Sequence, residues 1–384
     1  MTPDLLKRYS YQNRYVSDVD EVIRKILNKT IIPHQLEIQP GRLGGDKLCW
    51  LSCPYCYGGT SKNTQERLRP ERYVEILRQA AQGPNGGINK FIFAGYATDP
   101  LNYEHIDDLL QTARDNNVIF GFHTKSIRFS DRFLGLLTGS NIQKLSYFSI
   151  SVDAGNPESY NRTHGVGHSS GDIYHKVLEN IRRVTAARKL TNCPLDVSAT
   201  YLVTQFNNST EEVVSAIKDL TAAGVDIIRF TFPQVPRGHE KADQDVMVPG
   251  RQEILDSFKR LKPVIDSFTS DQVQVVILDF DADYGIAEQR RTHPCFARFV
   301  FPTIGFDGYL AHCSESAAPH FRDMSLGNLA QRDFWDLFYD YDVKNFKKYV
   351  ESFFVKMCKN DCRCDRKEHV VNSLFKQSGI IEKI

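Results

Sequence analysis

Short apolar runs with strand character alternate along the chain with longer stretches whose apolar positions recur every three or four residues. The strand-like runs are "HQLEIQ" (34–39), "KFIFAG" (90–95), "VIFGFHT" (118–124), "YFSISVD" (147–153), "LDVSATYLV" (195–203), "DIIRFTF" (226–232) and "VQVVILDF" (273–280). Helical spacing falls between them, in "RPERYVEILRQAAQ", "EHIDDLLQTARDN", "SDRFLGLLTG", "IYHKVLENIRRVTAARKL", "TEEVVSAIKDLTAAG" and "RQEILDSFKRLKPVIDSF". A repeating strand-helix order predicts an α/β protein with a parallel sheet and helices outside it, either an open doubly wound sheet or a barrel. In both, ligands gather at the C-terminal ends of the strands.

That rule gives a crowded group of cysteines its meaning. Cys49, Cys53 and Cys56 fall in "KLCWLSCPYCYGG", in the long loop after the first strand, and so at the mouth of the sheet. Composition narrows the chemistry. The chain has 384 residues, 41% of them hydrophobic, enough for a full core in one large or two smaller domains. Forty-eight basic against forty-seven acidic residues leave a charge of +1, so no global field draws it to nucleic acid or to an anionic membrane. The first thirty residues lack the apolar core of a signal peptide, and no later run reaches membrane-spanning length. The expected compartment is the cytoplasm, where thiols stay reduced and nine mostly clustered cysteines read as metal ligands rather than disulfides. Three thiolates leave a tetrahedral zinc, or a four-iron cluster, one ligand short. An open iron suits catalysis, because a substrate or cosubstrate can bind it directly. The competing reading, from another class, is a binding protein stabilised by structural zinc with a distant fourth ligand.

The C-x3-C-x2-C spacing, with aromatic Tyr55 before the last cysteine and after a first strand, resembles the signature of the radical S-adenosylmethionine (SAM) enzymes. The resemblance extends over roughly residues 34 to 280 and implies a partial (β/α)6 barrel. It also implies a [4Fe-4S] cluster on Cys49, Cys53 and Cys56 whose open iron chelates SAM, and reductive cleavage of SAM to a 5'-deoxyadenosyl radical that takes hydrogen from substrate. "FAGYATDPL" (93–101) resembles the family's glycine-rich segment, where Ala94 and Gly95 allow close backbone approach to SAM. Many members have Gly-Gly-Glu there; this chain has Ala94, Gly95 and Tyr96, with acidity delayed to Asp99. "YFSISVDAGNPESYNRTHG" resembles the fourth-strand segment and the Tyr-Asn-Arg-x-x-Gly turn that follows it. Ser149, Ser151 and Asp153 alternate onto one face of that strand, with Ser151 or Asp153 placed to reach ribose or substrate. The implied cofactor-binding residues are Tyr55, Ala94, Gly95, Asp99, Thr124, Ser151 and Gln205. Lys125 and Asp153 are the candidate catalytic pair, and Gln205 and Arg229 are further polar groups at strand ends.

The last quarter of the chain has its own pattern. Cys295 and Cys313 flank "FARFVFPTIGFDGYLAH", which reads as a hairpin turning at Gly305, Asp307 and Gly308. Cys358, Cys362 and Cys364 follow in "CKNDCRCD", after an amphipathic helix around "RDFWDLFYDYDVKNF" (332–346). This arrangement resembles the SPASM and twitch extensions of radical SAM enzymes. Five cysteines imply one auxiliary [4Fe-4S] cluster on Cys295, Cys313 and Cys358, with Cys362 and Cys364 competing for the fourth position. The thiol left over is either idle or a hydrogen donor of the kind radical epimerases use; a zinc ribbon-like site is the plainer alternative. Cys193 precedes the fifth strand and reads as a buried structural cysteine away from the mouth.

The expected domains are an N-terminal helical segment (1–33), the radical SAM partial barrel (34–285) and the SPASM/twitch-like domain (286–384). The resemblance implies dehydrogenation or epimerisation of a small polar substrate of sugar, aminocyclitol or nucleotide type, with maturation of a ribosomally made peptide as the alternative. It also implies a flavodoxin- or ferredoxin-like electron donor, for which Arg67, Arg69, Lys90, Lys344, Lys347 and Lys348 are candidate contacts.

Overall fold

The computed structural model describes residues 15–44, 49–56, 67–95, 98–166, 172–231, 251–277, 293–359, 364 and 366–383. Seven strands run through its middle: β1 (Leu36–Ile38), β2 (Lys90–Phe93), β3 (Ile119–Thr124), β4 (Tyr147–Ser151), β5 (Asp196–Leu202), β6 (Ile227–Thr231) and β7 (Gln274–Ile277). Each pairs in parallel with the next. All seven lie within the apolar runs that predict them; residues 278–280 of the last run are outside the described residues.

The crossovers carry α2 (Pro70–Ala81), α3 (Ile106–Asp115), α4 (Asp131–Thr138), α5 (Pro157–His164), α6 (Ile173–Thr191), α7 (Thr210–Ala222) and α8 (Arg251–Asp266), while α1 (Val19–Leu27) precedes β1. Their starts follow ordinary capping chemistry. Ser130 accepts from Phe133 N, Asn156 from Ser159 N and Ser209 from Glu212 N.

Strand order decides between the two architectures that the sequence leaves open. The strands neighbour one another in chain order from β1 to β7. Right-handed crossovers between sequential neighbours deliver every helix to the same face. A doubly wound sheet would need an order that reverses, so this is the singly wound, barrel-type arrangement, left open because β1 and β7 do not pair. Burial follows from it. On β4, Phe148, Ile150 and the following Val152 are sealed under helices, while Tyr147 and Ser151 on the other face are only half-buried. On β6, Ile228 and Phe230 alternate in the same way with Arg229 and Thr231. Register stacks the inner face into layers, His123 beside Ser149 and Ser198, and Ser151 beside Thr200 and Arg229.

The chain then extends the same sheet past β1. Strand β8 (Thr303–Ile304) pairs in parallel with β1, β9 (Tyr309–Ala311) antiparallel with β8, and β10 (Gly327–Asn328) antiparallel with β9. The expected hairpin is therefore present, closed by Gly305 N donating to Tyr309 O at 2.9 Å. Gly308 adopts φ +82 where a Cβ would meet Leu68 at 2.9 Å.

The helix expected over 332–346 is corrected to two, α9 (Phe334–Phe338) and α10 (Phe346–Lys359). Asp342 causes the break, since its carboxylate accepts from Lys344 N and Asn345 N and starts the second helix instead of continuing the first. Helix α11 (Arg366–Gln377) returns to β1, with Lys367 Nζ 3.0 Å from Glu37 and Phe375 stacked on Phe296. Among the described residues no helix is long and apolar enough to cross a membrane.

The turn after β4 hangs on one buried carboxylate. Glu212 of α7 accepts from Gly155 N at 2.6 Å and from the side chains of Asn156 and Ser159. Removing it leaves those donors unpaired in the interior, so Glu212→Ala should lower the free energy of urea unfolding by about 3 kcal/mol. Glu211→Ala on the exposed face should stay within about 0.5 kcal/mol of wild type. Equal effects of the two substitutions would contradict this role.

Candidate active site

The described residues of the loop after β1 have little regular structure of their own, and their placement comes from what holds them. Ser52 N donates to His164 O at the end of α5, and Cys56 N to Cys53 O. Gly165 caps α5 in the left-handed region at φ +60, and a Cβ there would lie 2.2 Å from Ser52 O. Only glycine suits both the conformation and the contact.

Tyr55 ties the loop to the sheet. Its hydroxyl accepts from Lys125 Nζ at 2.9 Å, and its single proton goes to Asp153 Oδ2 at 3.0 Å or to His164 Nδ1 at 3.1 Å. Lys125, just past β3, also donates to Asp153 Oδ2 at 2.7 Å. Burial works against the Lys125 charge, but Asp153, Cys53 and Asp99 together outweigh it and hold the amine above its ordinary pKa. Asp153, just past β4 and fully buried, sits at φ +52, a conformation that costs a non-glycine residue on the order of 1 kcal/mol. It is held there by Leu202 N, which donates to its Oδ1 at 2.7 Å, and by Asn207, which donates to its carbonyl at 2.8 Å. His164 Nε2 faces Val152 O at 3.0 Å and so carries the ring proton. Its Nδ1 is then the acceptor, toward Tyr55 and toward Cys53 Sγ at 3.4 Å. Burial, with Lys125 adding, pushes the His164 pKa down to about 3 and keeps the ring neutral.

Cys53 is buried and Cys49 and Cys56 are half-buried. Burial pushes the Cys49 thiol up to about 11 and the Cys53 thiol up to about 12, with Cys56 close enough to add to both. Thiols in this state ligate only where a bound cationic body offsets the charge of their thiolates. Among the described residues, no three His, Cys, Asp or Glu side chains close around a single ion. Three thiols on one loop would supply three of the four corners of a four-iron cluster.

Asp99 forms a second bracket beside the loop. Its carboxylate accepts from Leu101 N, from Thr124 Oγ1 at 2.7 Å and from Lys125 N at 2.6 Å, and burial raises its pKa. Thr124 Oγ1 in turn accepts from Ser126 N. Cys49, Trp50, Leu51, Asp99, Leu101, Asn102, Ile127 and Arg128 line a cleft of about 310 Å³. Trp50 is 47% exposed at its edge, with the Arg128 guanidinium 3.2 Å above the ring.

The structure thus joins Cys49, Cys53, Cys56, Tyr55, Lys125 and Asp153 at one mouth, with Asp99 and Thr124 alongside. Ala94 is half-buried, its N donating to Ile38 O, and Gly95 is exposed. Ser151 lies on the inner face beside Thr200, and Gln205 is exposed after β5. Cys295 and Cys313 are buried. Asn372 Nδ2 stands 3.6 Å from Cys295 Sγ and 3.5 Å from Cys364 Sγ, and Cys313 Sγ is 3.7 Å from Ser316 Oγ. Tyr96, Cys362 and the side chain of Cys358 lie outside the described residues. Cys193 is half-buried at the N-terminal end of β5, away from the mouth. Of the candidate donor contacts, Arg67 and Lys90 are half-buried, while Arg69, Lys344, Lys347 and Lys348 are exposed. Sequence reasoning missed His164, Asn207 and Asn372. Only His164 had a signal, its place directly before the glycine of the turn after the fourth strand.

Residues 47–195 match the model of the Radical SAM superfamily. Among solved structures, Streptococcus suis SuiB bound to S-adenosylmethionine aligns with a TM-score of 0.59 at 14% identity, over 91% of this chain and 80% of that one. SuiB bound to the precursor peptide SuiA gives 0.59 at 14%, over 91% and 79%. Native anSMEcpe with bound AdoMet gives 0.52 at 16%, over 91% and 100%. At these identities the likeness is one of fold. No curated protein matches the chain. Residues 47–195 thus resemble a radical SAM domain, whose family uses a [4Fe-4S] cluster and SAM.

The inner face also sets a pH response in the cofactor-free protein. His123 Nε2 meets Tyr147 OH at 2.9 Å. Burial, with Arg229, Lys367 and Lys90 adding, pushes its pKa down to about 3. The folded ring stays neutral while the unfolded one titrates near 6.5, so its contribution is fully present above pH 6.5 and is lost as the pH falls toward 3. Between pH 7 and pH 5 it should remove up to about 2 kcal/mol of unfolding free energy. His123→Gln should flatten the profile by that amount; an unchanged profile would contradict the assignment.

Proposed function

We propose that this chain is a radical SAM enzyme in which Cys49, Cys53 and Cys56 hold a [4Fe-4S] cluster with one iron left for SAM, and whose inner barrel face binds a small polar substrate. When bound, the cluster supplies the electron that splits SAM into methionine and a 5'-deoxyadenosyl radical able to take hydrogen from that substrate. The observation that carries the reading is the convergence of three thiols at the C-terminal mouth of a parallel sheet, on a loop pinned through Tyr55 to β3, β4 and α5.

The residues divide the work. Tyr55, Lys125, Asp153 and His164 fix the thiols. Asp99 and Thr124 brace the wall of the adjoining cleft, and Ala94 and Gly95, just past β2, allow SAM a close approach to the backbone. Ser151 and Gln205 face the space beyond. Residues 34–285 form the barrel, preceded by the segment 1–33 and followed by a twitch-like extension, 286–384. In that extension Cys295, Cys313 and Cys358 hold an auxiliary cluster with a fourth ligand from Cys362 or Cys364. The Asn372 amide, within reach of both Cys295 and Cys364, supports Cys364 in that position. The remaining thiol favours epimerisation if it donates hydrogen and dehydrogenation if it does not. The electron arrives from a flavodoxin- or ferredoxin-like protein, and the setting is the cytoplasm. A peptide substrate is the second reading, supported by the fold likeness over 91% of the chain to SuiB in complex with SuiA.

Incubation of the reconstituted protein with SAM and dithionite tests the reading. Wild type should release 5'-deoxyadenosine, and Cys49→Ala, Cys53→Ala and Cys56→Ala should release none, while Cys295→Ala retains cleavage. Wild-type cleavage by any of the first three would overturn it.

A further inference from the structure

Two cations of the inner face are paired with carboxylates, and Arg229 differs from them. Lys125 is paired with Asp153 at 2.7 Å, and Lys367 with Glu37 at 3.0 Å. Arg229, in the middle of β6, has neither a carboxylate nor a second hydrogen bond among the described residues. Its Nη2 donates to Thr200 Oγ1 at 3.2 Å, and its Nε is buried with no partner. One of five N–H donors is used.

Contrast with Arg298 shows what a structural arginine looks like in this molecule. Arg298 is 1% exposed and, like Arg229, has a buried Nε with no partner, but it donates to Phe338 O and to Tyr349 and is enclosed by the rings of Phe299, Tyr341 and Tyr349. Arg229 has no such enclosure among the described residues; it stands half-buried on the inner face, in the layer of Ser151 and Thr200. Its neighbour His123 is neutral, and the charged groups bearing on that ring are Arg229, Lys90 and Lys367, the last of them paired with Glu37. An arginine fork with an unused, buried Nε is matched by an oxyanion, which can accept from two of its N–H groups at once.

We propose that Arg229 anchors an oxyanion of the substrate, a carboxylate or a phosphate, on the inner face of the barrel. Thr200 orients the guanidinium. The proposal rests on the reading that the inner face is where substrate binds, and it narrows the substrate class from polar to anionic.

Calorimetric titration of the reconstituted full chain, saturated with SAM, tests it, with inorganic phosphate, acetate and the neutral isostere acetamide as probes. Phosphate or acetate should bind and acetamide should not, and the tighter of the two oxyanions identifies phosphate or carboxylate as the group recognised. Arg229→Met should weaken that binding by about tenfold or more, with Arg229→Lys between the two. Equal affinity in wild type and Arg229→Met would overturn the proposal. So would binding that appears only when SAM is left out, because Arg229 would then serve the carboxylate of SAM. Should Arg229→Met fail to fold, the wild-type comparison still decides, since neither oxyanion exceeding acetamide overturns the proposal. Measuring 5'-deoxyadenosine release in parallel separates the two readings. Release without oxyanion binding counts against this proposal alone, and oxyanion binding without release counts against the radical reading alone.

Discussion

The hydroxyl of Tyr55 is the point at which an irregular cysteine loop becomes part of a rigid fold. It lies between two of the three thiols in sequence and meets Lys125, Asp153 and His164 in space. Each partner belongs to a different part of the frame, the end of β3, the end of β4 and the last turn of α5. A loop ordered by its own contacts would place its cysteines only loosely. Held from three sides, it inherits the precision of the sheet. The arrangement has a cost in the left-handed backbone of Asp153, which Asn207 and Leu202 offset by binding its carbonyl and its carboxylate. Gly165 supplies the remaining condition, an end of α5 able to lie directly on the backbone of Ser52.

Topology accounts for what faces the loop. Sequential strand order sends all the crossover helices to one side, so the apolar alternation of each strand is satisfied outward. The inner positions are relieved of core duty and become polar: His123, Ser149, Ser151, Thr200 and Arg229. Extension of the sheet by β8 beyond β1, with α11 returning Lys367 to Glu37, makes the C-terminal region part of the same surface.

Much of this was legible in the sequence. Strands of five to seven residues with alternating burial announce themselves, and so do helices that begin at Ser130, Asn156 and Ser209. The three cysteines and Tyr55 were legible because their spacing is local. What was not legible depends on distant parts of the chain meeting. His164 lies 111 positions from the Cys53 it touches, and Asn207 is 54 from the Asp153 it supports. No local pattern marks either as part of the site. The single helix expected over residues 332–346 failed for a local reason, since Asp342 competes for the backbone N–H groups that an unbroken helix would use. Arg229 reads in the sequence as a polar residue at a strand end, whereas it stands in the middle of β6, and its lack of a carboxylate partner among the described residues exists only in the folded molecule.

The central claim is that the loop of Cys49, Cys53 and Cys56 holds an iron–sulfur cluster. Iron and acid-labile sulfide per chain, measured after anaerobic reconstitution of wild type and of the variant combining Cys49→Ala, Cys53→Ala and Cys56→Ala, test it most directly. The account predicts that the variant loses about four irons and their sulfides relative to wild type. Equal iron and sulfide in the two proteins would contradict it.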